Sequence, residues 1–264
     1  MQNADSLLFR CSSLGHLNPG SRGIADTVAK HLIDVYISAK YKRREELKNK
    51  YLDKGTEREE DAITLVSRST KTMYVKNDVR LSNAFVTGEP DLFKGESIFK
   101  ADQTLDTKCS WSMHTFYRAM FDKLVNLYYW QGVGYMWLTG AKEHTVCFCL
   151  VNGTPDAIMD EKKRLAWKMK IIDTSAENPI YKDACRQIER NHIFDMGAFL
   201  KESPWFELDT ILTGPPEEWD GNVPMQDRIH SFTVTRKESD ILLLQNRIIE
   251  CRYWMNENLF KKAA

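Results

Sequence analysis

No stretch of this sequence comes near the roughly eighteen consecutive apolar residues that a membrane-crossing helix needs. The run Leu7-Leu8-Phe9 is too short to be the apolar core of a secretory leader. A cytoplasmic protein is therefore the expectation. An excess of charge is missing as well, since 37 basic residues are balanced by 37 acidic ones. That argues against a protein that coats nucleic acid through its overall charge. It leaves room for an enzyme that confines positive potential to a channel while metal-binding carboxylates lower the net value. The 6 cysteines contain no CxxC pair, so the usual zinc spacing is absent and free thiols in a reducing compartment are expected. Internal repeats and low-complexity segments are lacking too. What is present is apolar material, 42% of 264 residues, enough to bury a sizeable core.

The most informative segment is Gly88-Glu89-Pro90-Asp91, followed by Asp106-Thr107-Lys108. Hard divalent ions take oxygen ligands, and two carboxylates from adjacent strands can hold such an ion against a phosphate. A lysine two residues after the second acid lies on the same face of its strand. From there it reaches an attacking water or the charge that develops on phosphorus.

Two further polar residues sit on apolar helix faces. Gly55 to Arg68 reads as a helix with an acid-rich first turn. Glu59 lies on the stripe of Ala62, Ile63 and Val66, whereas Glu60 lies off its centre. A second helix carries Leu124, Leu127, Tyr128, Tyr135 and Leu138 on one stripe, and Gln131 lies on it. A carboxylate and an amide directed at a core need partners. A structural hydrogen bond would satisfy each one, a helix end could instead leave Glu59 exposed, and a shared metal site would satisfy both.

The order GxxxE, GxPD, DxK, YxxQ resembles the PD-(D/E)XK nuclease superfamily, and more narrowly the phage lambda exonuclease and YqaJ-type viral recombinase group. GTEREEDA is similar to that group's first helix at Glu59, TGEPD to the strand of the first metal aspartate at Asp91, and LDTKCSW to the acid-x-lysine strand at Asp106 and Lys108. YYWQGVGYMWLTG is similar to its glutamine helix at Gln131. The similarity runs in order from about Phe9 to Leu150. Asp106 stands where the best-known members have glutamate, and Val133 where the family often repeats glutamine.

The resemblance implies an α/β fold, a central mixed sheet flanked by helices like the restriction-endonuclease core. It implies Mg²⁺- or Mn²⁺-dependent hydrolysis of DNA, with one or two ions held by Glu59, Asp91, Asp106 and the backbone carbonyl of Thr107. Lys108 would activate water, and Gln131 would position Lys108 or the phosphate. In the family, one strand of a duplex end is digested 5′ to 3′ and the 3′ tail passes to a single-strand annealing protein, in some members from a ring-shaped homo-oligomer. An endonuclease of the same superfamily and a DNA-binding scaffold without activity remain the alternatives. Some superfamily relatives carry a four-cysteine iron–sulfur cluster near the C-terminus, but the cysteines here are scattered and no cluster is expected. Arg10, Ser110, Trp111 and His114 are the candidates for contact with DNA.

Along the chain, helices are expected from Ile24 to about Lys50, from Asp156 to about Ile171 and from Asp240 to about Leu259, with two more between Met113 and Gly140. Val75 to Val86 reads as one or two strands, Glu96 to Cys109 as a hairpin-like pair, His144 to Val151 as the strand that closes the sheet, and Ile229 to Val234 as a further strand. Cys147 and Cys149 would share a strand face. The proline- and glycine-rich stretch 201–224 reads as a long loop or insertion within a single nuclease domain.

Overall fold

The computed structural model describes residues 3–43, 50–121, 126–175, 178–202 and 211–261. The strands are β1 (Phe9–Arg10), β2 (Val75–Lys76), β3 (Leu81–Ser82), β4 (Val86–Gly88), β5 (Leu92–Gly95), β6 (Ala101–Cys109), β7 (Glu143–Cys149) and β8 (Ile229–Thr235). The helices are α1 (Asp26–Tyr41), α2 (Lys50–Glu57), α3 (Glu59–Thr70), α4 (Met113–Phe121), α5 (Asn126–Thr139), α6 (Pro155–Lys168), α7 (Pro179–His192), α8 (Met196–Glu202) and α9 (Glu238–Met255), the last running on through a π-helical turn, Asn256–Phe260. The main sheet has the order β2-β5-β6-β7-β8, and a small sheet has the order β1-β4-β3. β6 and β7 pair in parallel, the other neighbours of the main sheet antiparallel. This is the mixed α/β architecture expected from the sequence.

β6 organises the molecule through its period of two. On one face Thr104 bonds His144, Asp106 bonds Gln131, and the Lys108 ammonium lies over the Tyr128 ring. On the other face Leu105 packs with Ala62, Leu65 and Val66 of α3, and Cys147 and Cys149 join that cluster from one face of β7. The sheet thus has α5 on one side and α3 on the other.

α5 is mostly buried around its whole circumference, with Trp130, Gln131, Val133, Tyr135 and Met136 all inside. The single stripe read from the sequence is therefore only part of its contact surface, and Leu124 lies outside the described residues. Two glycines allow the close packing. A Cβ on Gly132 would stand 2.5 Å from the His144 ring, and one on Gly134 2.5 Å from Leu14. Gly132→Ala should destabilise the fold by roughly 1–3 kcal/mol through overpacking. A chemical-denaturation midpoint close to wild type would show that His144 can move aside.

Several boundaries differ from the sequence reading. The helix expected over Gly55 to Arg68 is broken at Arg58 (φ −111, ψ 12). The buried guanidinium there turns inward to Asp61, Glu202 and the Gly153 carbonyl. α1 ends at Tyr41, where Lys42 takes a left-handed conformation, and the expected continuation over 44–49 lies outside the described residues. The hairpin begins at Leu92 rather than Glu96. Gly95 ends its first strand at φ 146, where a Cβ would meet the Lys100 carbonyl at 2.6 Å, and a 3₁₀ turn, Ile98–Lys100, follows. β7 is interior and β8 closes the sheet. The sequence reading did not include α7 or α8, although α7 has a proline in its first turn and an Asn178 side chain capping the Ile180 and Tyr181 amides. Within 201–224, residues 203–210 lie outside the described part. The rest is clasped: the buried Lys162–Glu189 pair (2.6 Å) accepts the Thr213 amide on Glu189, and Lys162 donates to the Ile211 carbonyl.

The N-terminal segment is tied to the C-terminal helix. Arg247 of α9 donates to the Leu17 and Gly23 carbonyls, and Arg252 to those of Leu7 and Ala84. This holds Cys11 and Leu14 against Gly134 and completes the packing around α5.

Candidate active site

In the antiparallel β5–β6 pair, Leu92 stands opposite Leu105. Asp91, just before β5, is thereby brought near Asp106 of β6, close enough for the Asp106 charge to act on it. Asp106 is 1% exposed. Its Oδ2 accepts from Lys108 Nζ and from Gln131 Nε2, each at 2.6 Å, while its Oδ1 is buried without a hydrogen-bond partner. Asp91 Oδ2 accepts the Thr107 amide at 2.7 Å and the Thr107 hydroxyl at 3.0 Å.

The turn that carries Asp91 is held from outside the motif. Asn77 donates its amide to the Pro90 carbonyl and its backbone N–H to the Asp91 carbonyl. Tyr135 OH accepts from Gln131 Nε2 at 3.0 Å and donates to the Glu89 carbonyl at 3.2 Å, which links α5 to both acidic motifs.

The electrostatics follow from burial and proximity. Burial, reinforced by the Asp106 charge, pushes the Asp91 carboxyl up to about 7, against the opposing pull of Lys108 and the Thr107 bonds. Burial pulls the Lys108 ammonium down. The charges of Asp106 and Asp91 outweigh it and hold the group above its ordinary value. Lys108 is therefore a fixed cation beside a carboxylate that gives up its proton reluctantly.

These residues adjoin a cavity of about 520 Å³ lined by Glu59, Asp91, Lys108, Ser110, Trp111 and Tyr128, among others. Asp106 and Gln131 do not line it and act from behind Lys108. Glu59 sits partly exposed at the start of α3, 3.7 Å from Lys76 Nζ, which pairs more closely with Glu60. Of the four candidate DNA contacts, Ser110 and Trp111 line the cavity. Arg10 on β1 and His114 on α4 are exposed and do not. Sequence reasoning missed Asn77, whose only signal is an asparagine in a strand-rich segment, and Lys54, which closes the mixed charge run Lys42 to Lys54, a stretch that by composition reads as a solvated face or a phosphate contact.

No protein-family model matches the chain, and no curated protein matches it significantly. Among solved structures, a phage-related exonuclease from Haemophilus somnus 129PT superposes with a TM-score of 0.69 at 23% identity, covering 100% of both chains. An alkaline exonuclease from Laribacter hongkongensis gives 0.57 at 12% identity, over 98% of this chain and 95% of that one. The structure of that exonuclease in complex with dAMP gives 0.53 at 13% identity, over 99% and 97%. The chain has the fold of these exonucleases. That agrees with the family resemblance carried by its four ordered motifs.

The donor set also fits a hard divalent cation. Among the described residues no three His, Cys, Asp or Glu side chains form a metal cage by themselves. Magnesium, however, is usually bound by one or two carboxylates together with water and substrate phosphate oxygens. Two neighbouring carboxylates supply that, one with a buried oxygen left unpartnered and the other with its proton affinity raised.

Proposed function

We propose that the protein is a Mg²⁺- or Mn²⁺-dependent deoxyribonuclease that digests one strand of duplex DNA ends, 5′ to 3′. The observation that carries this reading is the unpartnered buried oxygen of Asp106, a carboxylate whose charge acts on Asp91 and whose other oxygen holds Lys108 at the cavity.

Asp91 and Asp106, with the Thr107 backbone carbonyl and Glu59, which lines the same cavity as Asp91, would hold one or two ions. A bound divalent ion supplies neutralisation of the phosphate charge that builds in the transition state. The chain's own groups do the rest. Lys108, kept protonated by the two carboxylates, directs its N–H bonds at the incoming water or the developing negative charge. Gln131 holds the Asp106 carboxylate in orientation and, through it, Lys108. Ser110 and Trp111 contact the strand where it enters the cavity, and an aromatic face there suits an unpaired base. The 3′ single strand left behind would be the substrate of an annealing protein, and a ring of identical chains would retain the duplex.

Incubation with linear and covalently closed circular duplexes of the same sequence tests the reading. Linear DNA should shorten only when magnesium or manganese is added, and the circle should persist. Cleavage of the circle would establish an endonuclease. Intact DNA under every condition, with binding retained, would establish a scaffold.

A further inference from the structure

Lys54 is only 2% exposed and stands among the largest fully buried side chains. Its Nζ donates to the Ser110 carbonyl at 2.8 Å and to the Trp111 carbonyl at 3.3 Å. The amine also lies over two aromatic rings, 5.9 Å from the Trp111 centroid and 5.7 Å from that of Phe194. Among the described residues no carboxylate pairs with it. The charged and titratable groups acting on it are Cys109 of β6 and Arg58 at the α2–α3 break.

A buried cation without an acid is costly, and an apolar side chain of the same length would fill the slot more cheaply. What the lysine offers is a pair of donors at the one turn that continues β6 past Lys108 into the wall of the cavity. The same turn is gripped twice more. The Ser110 amide donates to the Cys149 carbonyl at 2.8 Å. The His192 ring meets the Trp111 indole edge to face at 5.0 Å. Burial draws the Lys54 amine down to about 7, and since a neutral amine retains two N–H bonds, both carbonyls stay satisfied in either protonation state.

We propose that Lys54 is a positioning residue: it fixes the Ser110–Trp111 turn as a rigid wall, so that Trp111 offers a pre-set stacking face to an unpaired nucleobase of the strand being cut. This rests on the deoxyribonuclease reading. The lysine acts through Trp111 and touches no reacting atom.

Lys54→Met keeps an unbranched apolar stem one heavy atom short of the lysine and removes the donors. Its melting temperature should stay close to that of the wild type, since losing a buried cation offsets leaving the two carbonyls without a donor. Amide hydrogen exchange should quicken in residues 110–114 and stay unchanged in β6 and β7. The KM for a linear duplex should rise about tenfold, the size of one lost base–aromatic stack, with a smaller change in kcat. Trp111→Ala should show the same KM rise, and the double variant should be no worse than Trp111→Ala alone. Lys54→Gln, which keeps an N–H donor on a shorter chain, should recover part of the loss.

Wild-type KM and wild-type exchange in Lys54→Met would overturn the proposal. So would strictly additive effects in the double variant, or a fall in melting temperature with exchange raised across the whole sheet, which would make Lys54 a core residue. Wild-type protein assayed in parallel separates the two readings. If it cleaves no DNA, the nuclease reading fails, and the exchange data still decide whether Lys54 holds the turn.

Discussion

Lys108→Ala should lower the turnover of duplex DNA by about 10²–10⁴-fold, the range for loss of a group that acts on protons or charge in the transition state, while DNA binding persists. The loss should appear in kcat rather than KM, because the ammonium's contribution grows as charge accumulates on the phosphate. The structure adds a complication that the sequence alone conceals. Lys108 is the ionic partner of Asp106, which is 1% exposed, so its removal strands a buried carboxylate. Breaking such a pair costs about 3–5 kcal/mol, and Lys108→Ala should therefore melt earlier as well. Lys108→Gln separates the two effects, since an amide N–H toward Asp106 Oδ2 preserves much of the fold without the charge. A Gln variant that is stable and turns over at the wild-type rate would remove Lys108 from the chemistry.

Asp91→Asn should do the opposite to stability while also ending cleavage. The amide oxygen can accept the same two bonds from Thr107 that Asp91 Oδ2 accepts now. What disappears is a charge that the fold disfavours, since burial and the Asp106 charge push Asp91 up to about 7, against an unfolded value of about 3.9. Between those values the unfolded chain releases a proton that the folded chain keeps. Wild-type stability therefore declines as pH rises through that window and stays lowered above it. In chelator, Asp91→Asn should melt at a higher temperature than wild type at pH 8 and at the same temperature near pH 4. Magnesium should then raise the melting temperature of the wild type and leave the variant unmoved. An Asn variant that is less stable at pH 8, or that is stabilised by magnesium as strongly as the wild type, would show that Asp91 is no strained metal ligand.

The candidate site residues were legible because their signals are local. Asp106 and Lys108 share a strand face by the period of two, and a polar Gln131 on an apolar helix had to have a partner, which proved to be Asp106. The alternation of helices and strands, and the placing of Cys147 and Cys149 on one face, followed from the same periodicities. What local pattern could not supply was pairing. The sequence does not say that Leu92 registers with Leu105, and that register is what brings Asp91 near Asp106. Nor does it say that β8 lies outside β7, or that Arg58 turns into the core and breaks a helix its neighbours favour.

Lys54 marks the boundary most clearly. In the chain it belongs to a mixed charge run that reads as solvated, yet folded it lies beneath Trp111 with its amine on two carbonyls. By itself the sequence determined which faces of their own strand or helix the candidate side chains occupy, because those depend on neighbours within a few residues. The tertiary structure alone decided which acids lie near one another, which cation is buried and where the cavity opens. Those depend on contacts between residues tens of positions apart, whose free energies no local periodicity encodes.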